Sequence, residues 1–256
     1  MNRINNPIIY TIVVLCLILV TRTNAQQPRP SMLPIADLIK DNSEGWSRVK
    51  SWIDTARNKI EILPGENQVS ANVLYKSQVT TRSPMGAIIY NTGGILVDYG
   101  WIRILGSGSN KMKRTIASWN KGRIDTGSNG KPLYYLIADD AIGGLFALNG
   151  GGLGTDFGSV YYFAPDNLTW QSLNTSYTGF LEFCFSGDIG KFYQGSRWNS
   201  WKADINKLSA DEVIVFFPPL WSKEGSLEIS ARDNQSINTY FMNIQTLLTS
   251  HNKEKR

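Results

Sequence analysis

The sequence predicts an α+β domain, with a central, mainly antiparallel sheet and helices at both ends of the chain. Three observations carry that reading. Near the start, Trp46, Val49, Ile53 and Ala56 recur at helical spacing. Between residues 87 and 163 the apolar residues come in short runs that alternate or fill blocks of four to six. At the end, Ile237, Tyr240, Phe241, Ile244, Leu247 and Leu248 return to helical spacing. A helix buries a stripe and a strand buries alternate residues, so the two patterns separate the elements. Strands grouped in the middle argue against a doubly wound sheet.

Taken in order, residues 35–40 form a short helix. Residues 44–57 form the first long one, with Ser43 as its N-cap. A second covers Gln68 to Val79, with Val69 and Val73 facing in. Strands follow at Ala87–Asn91, Ile95–Tyr99 and Trp101–Leu105. Thr92-Gly93-Gly94 reads as the first hairpin turn, and Gly100 as a bulge. Gly106–Asn110 is a loop. Asp125–Lys131, rich in Gly, Ser and Asn, is the best candidate for a mobile surface loop. Further strands cover Leu133–Ala138, Leu145–Leu148 and Val160–Phe163. Tyr177, Phe180, Leu181 and Cys184 then mark a buried helix stripe. Cys184 belongs to that stripe and is expected to be an inert core thiol. Val213–Phe217 is an apolar strand stopped by Pro218-Pro219. The last helix ends near Ser250, and residues 251–256 form a polar tail.

The chain opens on an export signal. Arg3 precedes Ile8–Val20, an apolar run of 13 residues interrupted by Thr11, and Thr23-Asn24-Ala25 ends on a small residue. That order predicts a signal peptide over residues 1–25, cleaved after Ala25. The run is shorter than the ~20 apolar residues a spanning helix needs. Residues 26–34 hold Pro28, Pro30 and Pro34 and read as an extended linker. The remaining length suits one domain over 35–250. The expected location is the periplasm or the extracellular space, with no membrane role beyond export.

Composition excludes several chemistries. Arg3 and Arg22 leave with the signal, so the 26 basic residues become 24 against 21 acids, a net charge of +3. That is too mild and too scattered for a nucleic-acid binder. Of the two cysteines, Cys16 lies in the signal, so the mature chain has no internal disulfide. The one histidine is His251, in the tail. A Ser-His-Asp or Cys-His arrangement needs a placed histidine, and the usual zinc sites need His and Cys together. No metal and no cofactor is expected.

Four features remain. Gly150-Gly151-Gly152-Leu153-Gly154 precedes a strand rather than a helix and lacks the Lys-Ser/Thr ending of a phosphate loop, so it reads as a turn. Asp139 and Asp140 end a strand beside Gly143-Gly144. They are the residues to test for carboxylate catalysis, which needs two acids facing across a bond. Lys111, Lys113 and Arg114, with Lys121 and Arg123, surround Trp119 and offer a surface for an anionic partner. All eight tryptophans lie beyond the signal. Trp46 falls on a helix stripe. Trp198 and Trp201, beside Arg197, and Trp221, just past the prolines, are contact candidates, because tryptophan is enriched at binding hot spots.

Several segments together resemble an uncharacterised bacterial family, a domain of unknown function. They are Thr80-Thr-Arg-Ser-Pro84, Gly100-Trp-Ile-Arg-Ile-Leu-Gly-Ser-Gly108, Ala138-Asp-Asp140, Gly143-Gly-Leu-Phe-Ala-Leu-Asn-Gly-Gly151, Val160-Tyr-Tyr-Phe-Ala-Pro-Asp166, Phe192-Tyr-Gln-Gly195 and Arg197-Trp198. The likeness runs from about Pro34 to Leu248 and implies no activity. Over about Leu133 to Gly187 the chain also resembles the SUKH (SMI1/KNR4-like) superfamily. That resemblance implies an α+β fold and an immunity-like role, binding and neutralising a toxin. The expectation is therefore a non-enzymatic module with a protein partner rather than a glycan. The alternative is a carboxylate-dependent enzyme, or a binder, acting on a cell-envelope glycan.

Overall fold

A computed structural model describes residues 32–39, 42–128 and 130–254. The expected signal peptide, linker residues 26–31 and the last two residues of the tail lie outside them. The described chain forms one compact unit from Met32 onward. It is α+β, as the sequence predicts. Its helices are α1 (Ile35–Leu38), α2 (Asn42–Asp54), α3 (Asn67–Ser77), α4 (Pro84–Asn91), α5 (Ile116–Asn120), α6 (Tyr177–Ser186), α7 (Ile189–Phe192), α8 (Trp201–Ile205) and α9 (Ile237–Glu254). Its strands are β1 (Ile60–Leu63), β2 (Gly94–Val97), β3 (Ile102–Leu105), β4 (Tyr134–Asp140), β5 (Leu145–Asn149), β6 (Val160–Ala164), β7 (Thr169–Ser172), β8 (Glu212–Phe217) and β9 (Ala231–Ser236). Among the described residues no helix is long and apolar enough to cross a membrane.

β1 to β7 form one antiparallel sheet in sequence order, and β8 pairs with β9 in a separate ribbon. Cross-strand register puts Ile104, Ala138, Phe146 and Tyr162 in one row. Phe146 of that row packs on Phe180 of α6, at 4.9 Å between ring centroids. The adjacent row, Arg103, Asp139, Leu145 and Phe163, points to the opposite face. Near its Arg103–Asp139 end lie Arg114, Asp211 and Glu212. Both faces of the central strands are thereby covered, which explains why β3 and β6 are buried at every residue.

The run at 87–91 is a helix, not a strand. Ser83 caps it, its hydroxyl accepting the Gly86 N–H at 3.1 Å, and Pro84 takes the first turn. Ala87, Ile88 and Ile89 are all buried, and a run buried all round loses the periodicity that separates helix from strand. Thr92-Gly93-Gly94 is therefore the passage from α4 into β2. Gly93 donates its N–H to the Leu63 carbonyl. Gly100 is not a bulge either. It closes the β2–β3 hairpin, with Asp98, Tyr99 and Gly100 at φ values of 50°, 64° and 88°. Two consecutive left-handed residues match the twist of the flanking strands. α2 begins at Asn42, so Ser43 lies within it, and Val69 is exposed while Val73 is buried. α9 runs on past Ser250 into the expected tail.

The 125–131 segment is closed by the Gly127 N–H on the Lys131 carbonyl at 2.8 Å and by a bridge between Thr126 and Pro132. Residues 150–154 form the turn expected between two strands. The Asn149 carboxamide organises it, accepting from the Gly151 and Leu153 N–H groups and donating to the Gly154 and Asp156 carbonyls. Cys184 is fully buried, and burial holds its thiol well above the ordinary range.

α2 approaches the start of α4 through a glycine. A Cβ on Gly45 would lie 2.0 Å from the Thr81 carbonyl oxygen, a backbone atom that cannot swing away. We expect Gly45→Ala to destabilise the fold by about 1–3 kcal/mol, read as a lower midpoint in urea unfolding. With Cys16 replaced by serine, a thiol reagent at neutral pH should leave the native chain unmodified and label one site once it is unfolded.

Candidate functional site

Asp139 and Asp140 are neighbours on β4, so strand alternation sends them to opposite faces. Both are fully buried. Asp139 sits directly opposite Arg103 of β3. Arg103 Nε donates to Asp139 Oδ1 at 2.6 Å, and Arg114 Nη2 donates to Oδ2 at 2.5 Å. The arginines reach further. Arg103 donates to the carbonyls of Glu212, at 2.6 Å, and Asp140. Arg114 donates to the Ala210 carbonyl at 2.5 Å and to Asp211 Oδ1 at 2.8 Å. Burial lowers the pKa of Arg103, and the Asp139 charge opposes that shift.

Asp140 faces the other way, into a set of neutral donors. Its Oδ1 accepts the N–H groups of Ile142 at 3.1 Å and Gly144 at 2.7 Å. Its Oδ2 accepts the hydroxyls of Tyr162 at 2.7 Å and Tyr193 at 3.0 Å. Burial raises the pKa of Asp140, while Tyr162, the Gly144 N–H, Arg103 and Tyr193 pull it back. Burial likewise pushes Tyr162 and Tyr193 well above the usual phenol range, helped by the Asp140 charge. A Cβ on Gly144 would meet Asp140 Oδ2 at 2.2 Å, so only glycine lets the turn close on the acid. The two carboxylates therefore do not face each other across a gap. Each ties strands together with every oxygen occupied. Among the described residues no group of three or more His, Cys, Asp or Glu side chains converges to hold a metal ion.

The contact candidates divide. Trp119 is buried beneath the Arg123 guanidinium, 4.3 Å from its ring centroid, and packs against Phe241. Trp198 is 9 % exposed, and its indole N–H donates to Asp204 at 2.6 Å. Trp201 is half-buried and stacks on Arg197, at 4.1 Å, in a cluster with Trp101. Arg197 in turn pairs with Asp98 at 2.7 Å. Of the eight tryptophans only Trp221 is exposed, at 39 %. The basic stretch also divides. Arg114 points inward to Asp139, Lys111 pairs with Glu61 on the surface, and Lys113 is exposed.

Trp221 stands beside two depressions. One is a groove of about 160 Å³ bordered by Phe217, Pro219, Leu220, Trp221, Tyr240 and Ile244. Phe217, at its rim, is 56 % exposed. The other is a cleft of about 600 Å³ between β6–β7, α7 and the connection from β8 to β9. Tyr162, Phe192 and Tyr193 line it together with Asp166, Gln171, Gln194 and Glu228. Ile142, Pro165 and Leu220 border both depressions, so they adjoin. The sequence marks Trp221 but not the cleft, because its polar lining comes from three separate segments, around Asp166–Gln171, Gln194–Ser196 and Ser226–Glu228.

The family model described as "Protein of unknown function DUF2625" matches residues 35–240, and the chain belongs to that family. It is 43 % identical over 207 residues to an uncharacterized protein of Haemophilus influenzae, covering 81 % of this chain and 90 % of that one. It is 44 % identical over 190 residues to the putative uncharacterized protein YbfG of Escherichia coli, covering 74 % of this chain and 86 % of the relative. The resemblance to an uncharacterised bacterial family is thus borne out. No solved structure matches the chain.

Removing Arg103 takes the donor from buried Asp139 Oδ1 and from the Glu212 and Asp140 carbonyls, leaving Asp139 with Arg114 alone. Arg103→Met should cost about 3–5 kcal/mol, and adding Asp139→Leu should recover part of it in a double-mutant cycle. Asp140 sets a pH dependence of known sign. Its raised pKa makes the folded state bind the proton more tightly. That contribution is complete below the ordinary carboxylate pKa and is lost as pH rises through the raised value. The stability of the parent relative to Asp140→Asn should therefore fall as pH rises across that window, measured by urea titrations at several pH values.

Proposed function

We propose that this chain is a non-enzymatic binding domain, exported to the periplasm or beyond, that recognises a protein partner. The role we propose is immunity-like. The observation that carries the reading is the exposed pair Phe217 and Trp221 at the rim of an apolar groove. Large aromatics are costly to leave in water and are the residues that anchor protein interfaces. Their setting supports the reading, since the groove adjoins a polar cleft and interfaces join an apolar centre to a polar rim.

A protein is favoured over a glycan because the other tryptophans are buried or half-buried. No row of exposed indoles is offered on which sugar rings would stack. The carboxylates give enzyme chemistry no support, since Asp139 and Asp140 spend their oxygens on internal donors.

The test is capture of a partner by the chain starting at Gln26, from envelope and secreted extracts of its host, in ~0.5 M salt, where surface charge is largely screened. A single retained protein is expected. Trp221→Ala should weaken it by about 2 kcal/mol, roughly thirtyfold, with no change in melting temperature. Retention of glycan fragments alone, or a partner indifferent to both Trp221→Ala and Phe217→Ala, would remove this reading.

A further inference from the structure

We propose that the cleft beside Trp221 receives a cationic side chain, lysine or arginine, of the protein partner, whose neighbouring apolar side chain fills the groove. The inference rests on the protein-binding reading and names the chemistry of the partner.

The first ground is the sign of the cleft. Asp166 and Glu228 line it, and no lysine or arginine does. The chain from Gln26 onward is basic, with 24 Lys and Arg against 21 Asp and Glu, a net +3. The cleft therefore carries the charge opposite to that of the molecule. The second ground is that these acids are unspent. Asp98 pairs with Arg197, Glu61 with Lys111, and Asp139 and Asp211 with Arg114. Asp204 takes the Trp198 indole and Asp156 the Tyr161 and Ser172 hydroxyls. Among the described residues Asp166 and Glu228 have no hydrogen-bond or ion-pair partner, and neither do the side chains of Gln171 and Gln194 in the same cleft.

The third ground is the rest of the lining. A guanidinium or ammonium brings only donors and needs acceptors around it. Two carboxylates and two carboxamide oxygens supply them. Half-buried Phe192 supplies aromatic surface, which attracts a cation, with the buried rings of Tyr162 and Tyr193 behind it. A neutral glycan would use the amides and rings but leave both carboxylate charges unmatched. The volume, about 600 Å³, exceeds one side chain and leaves room for flanking backbone. Because Ile142, Pro165 and Leu220 border both depressions, the basic and apolar residues of the partner must lie close together.

The test uses the chain starting at Gln26, which contains the whole compact unit from Met32, labelled with nitrogen-15. The probes are N-acetyl-arginine amide and N-acetyl-lysine amide, with N-acetyl-glutamine amide and tri-N-acetylchitotriose as neutral controls. The cationic probes should shift the amide signals of Asp166, Gln171, Gln194 and Glu228, with a dissociation constant on the order of 1–10 mM. Asp166→Asn combined with Glu228→Gln should weaken them tenfold or more, whereas Trp221→Ala should leave them unchanged. Shifts that survive the double replacement would overturn the proposal. So would signals unmoved at ~50 mM, well beyond that range, or a response to chitotriose alone. If a captured partner depends on Trp221 but ignores the double replacement, the cation site fails and the protein-binding reading stands. If no partner is captured while the cationic probes bind as stated, the reverse holds.

Discussion

The molecule is held shut by one acid between two arginines. Asp139 links β4 to Arg103 on the neighbouring strand and to Arg114 ahead of α5. The two guanidiniums then reach the backbone at Ala210 and Glu212, so that β8 is fixed against the sheet by residues about a hundred positions earlier. Burying three charges is costly, and such an arrangement gains only when the geometry is good and the remaining donors find acceptors. Here they largely do. The Ile214 N–H on the Ala141 carbonyl adds a backbone bond at the same junction.

That junction sets the position of both depressions. The connection between β8 and β9 walls the cleft on one side and the groove on the other. Asp140, one residue on from Asp139, braces the opposite face of the sheet. It gathers Tyr162 and Tyr193, whose rings form part of the cleft lining. Two adjacent residues of one strand thus secure the two sides of the surface proposed to bind.

Much of this was legible in the sequence, and the failures have physical causes. The stripe at Tyr177–Cys184 and the last helix were readable because each buries one face only. α4 hides its period because its residues Met85–Ile89 are buried without a break. β1 and β7 are four residues long, too short to show a period, and β9, Ala231–Ser236, is polar after Ala231 and exists because its backbone pairs with β8. The ion cluster was hidden by its own setting. Arg103 alternates with Ile102 and Ile104, which reads as a strand with one wet face, whereas both faces are covered. Asp139 and Asp140 could be singled out from their place beside two glycines, but not their partners, which come from distant segments. Trp221 was legible as a residue that follows two prolines, where no regular element could bury it.

Cys184 lies in the core of α6 with a thiol that burial keeps protonated. The sequence contains only one other cysteine, Cys16. The described fold is accordingly built without a crosslink. A shift in the thiol–disulfide balance of its surroundings therefore makes or breaks no bond within the described residues.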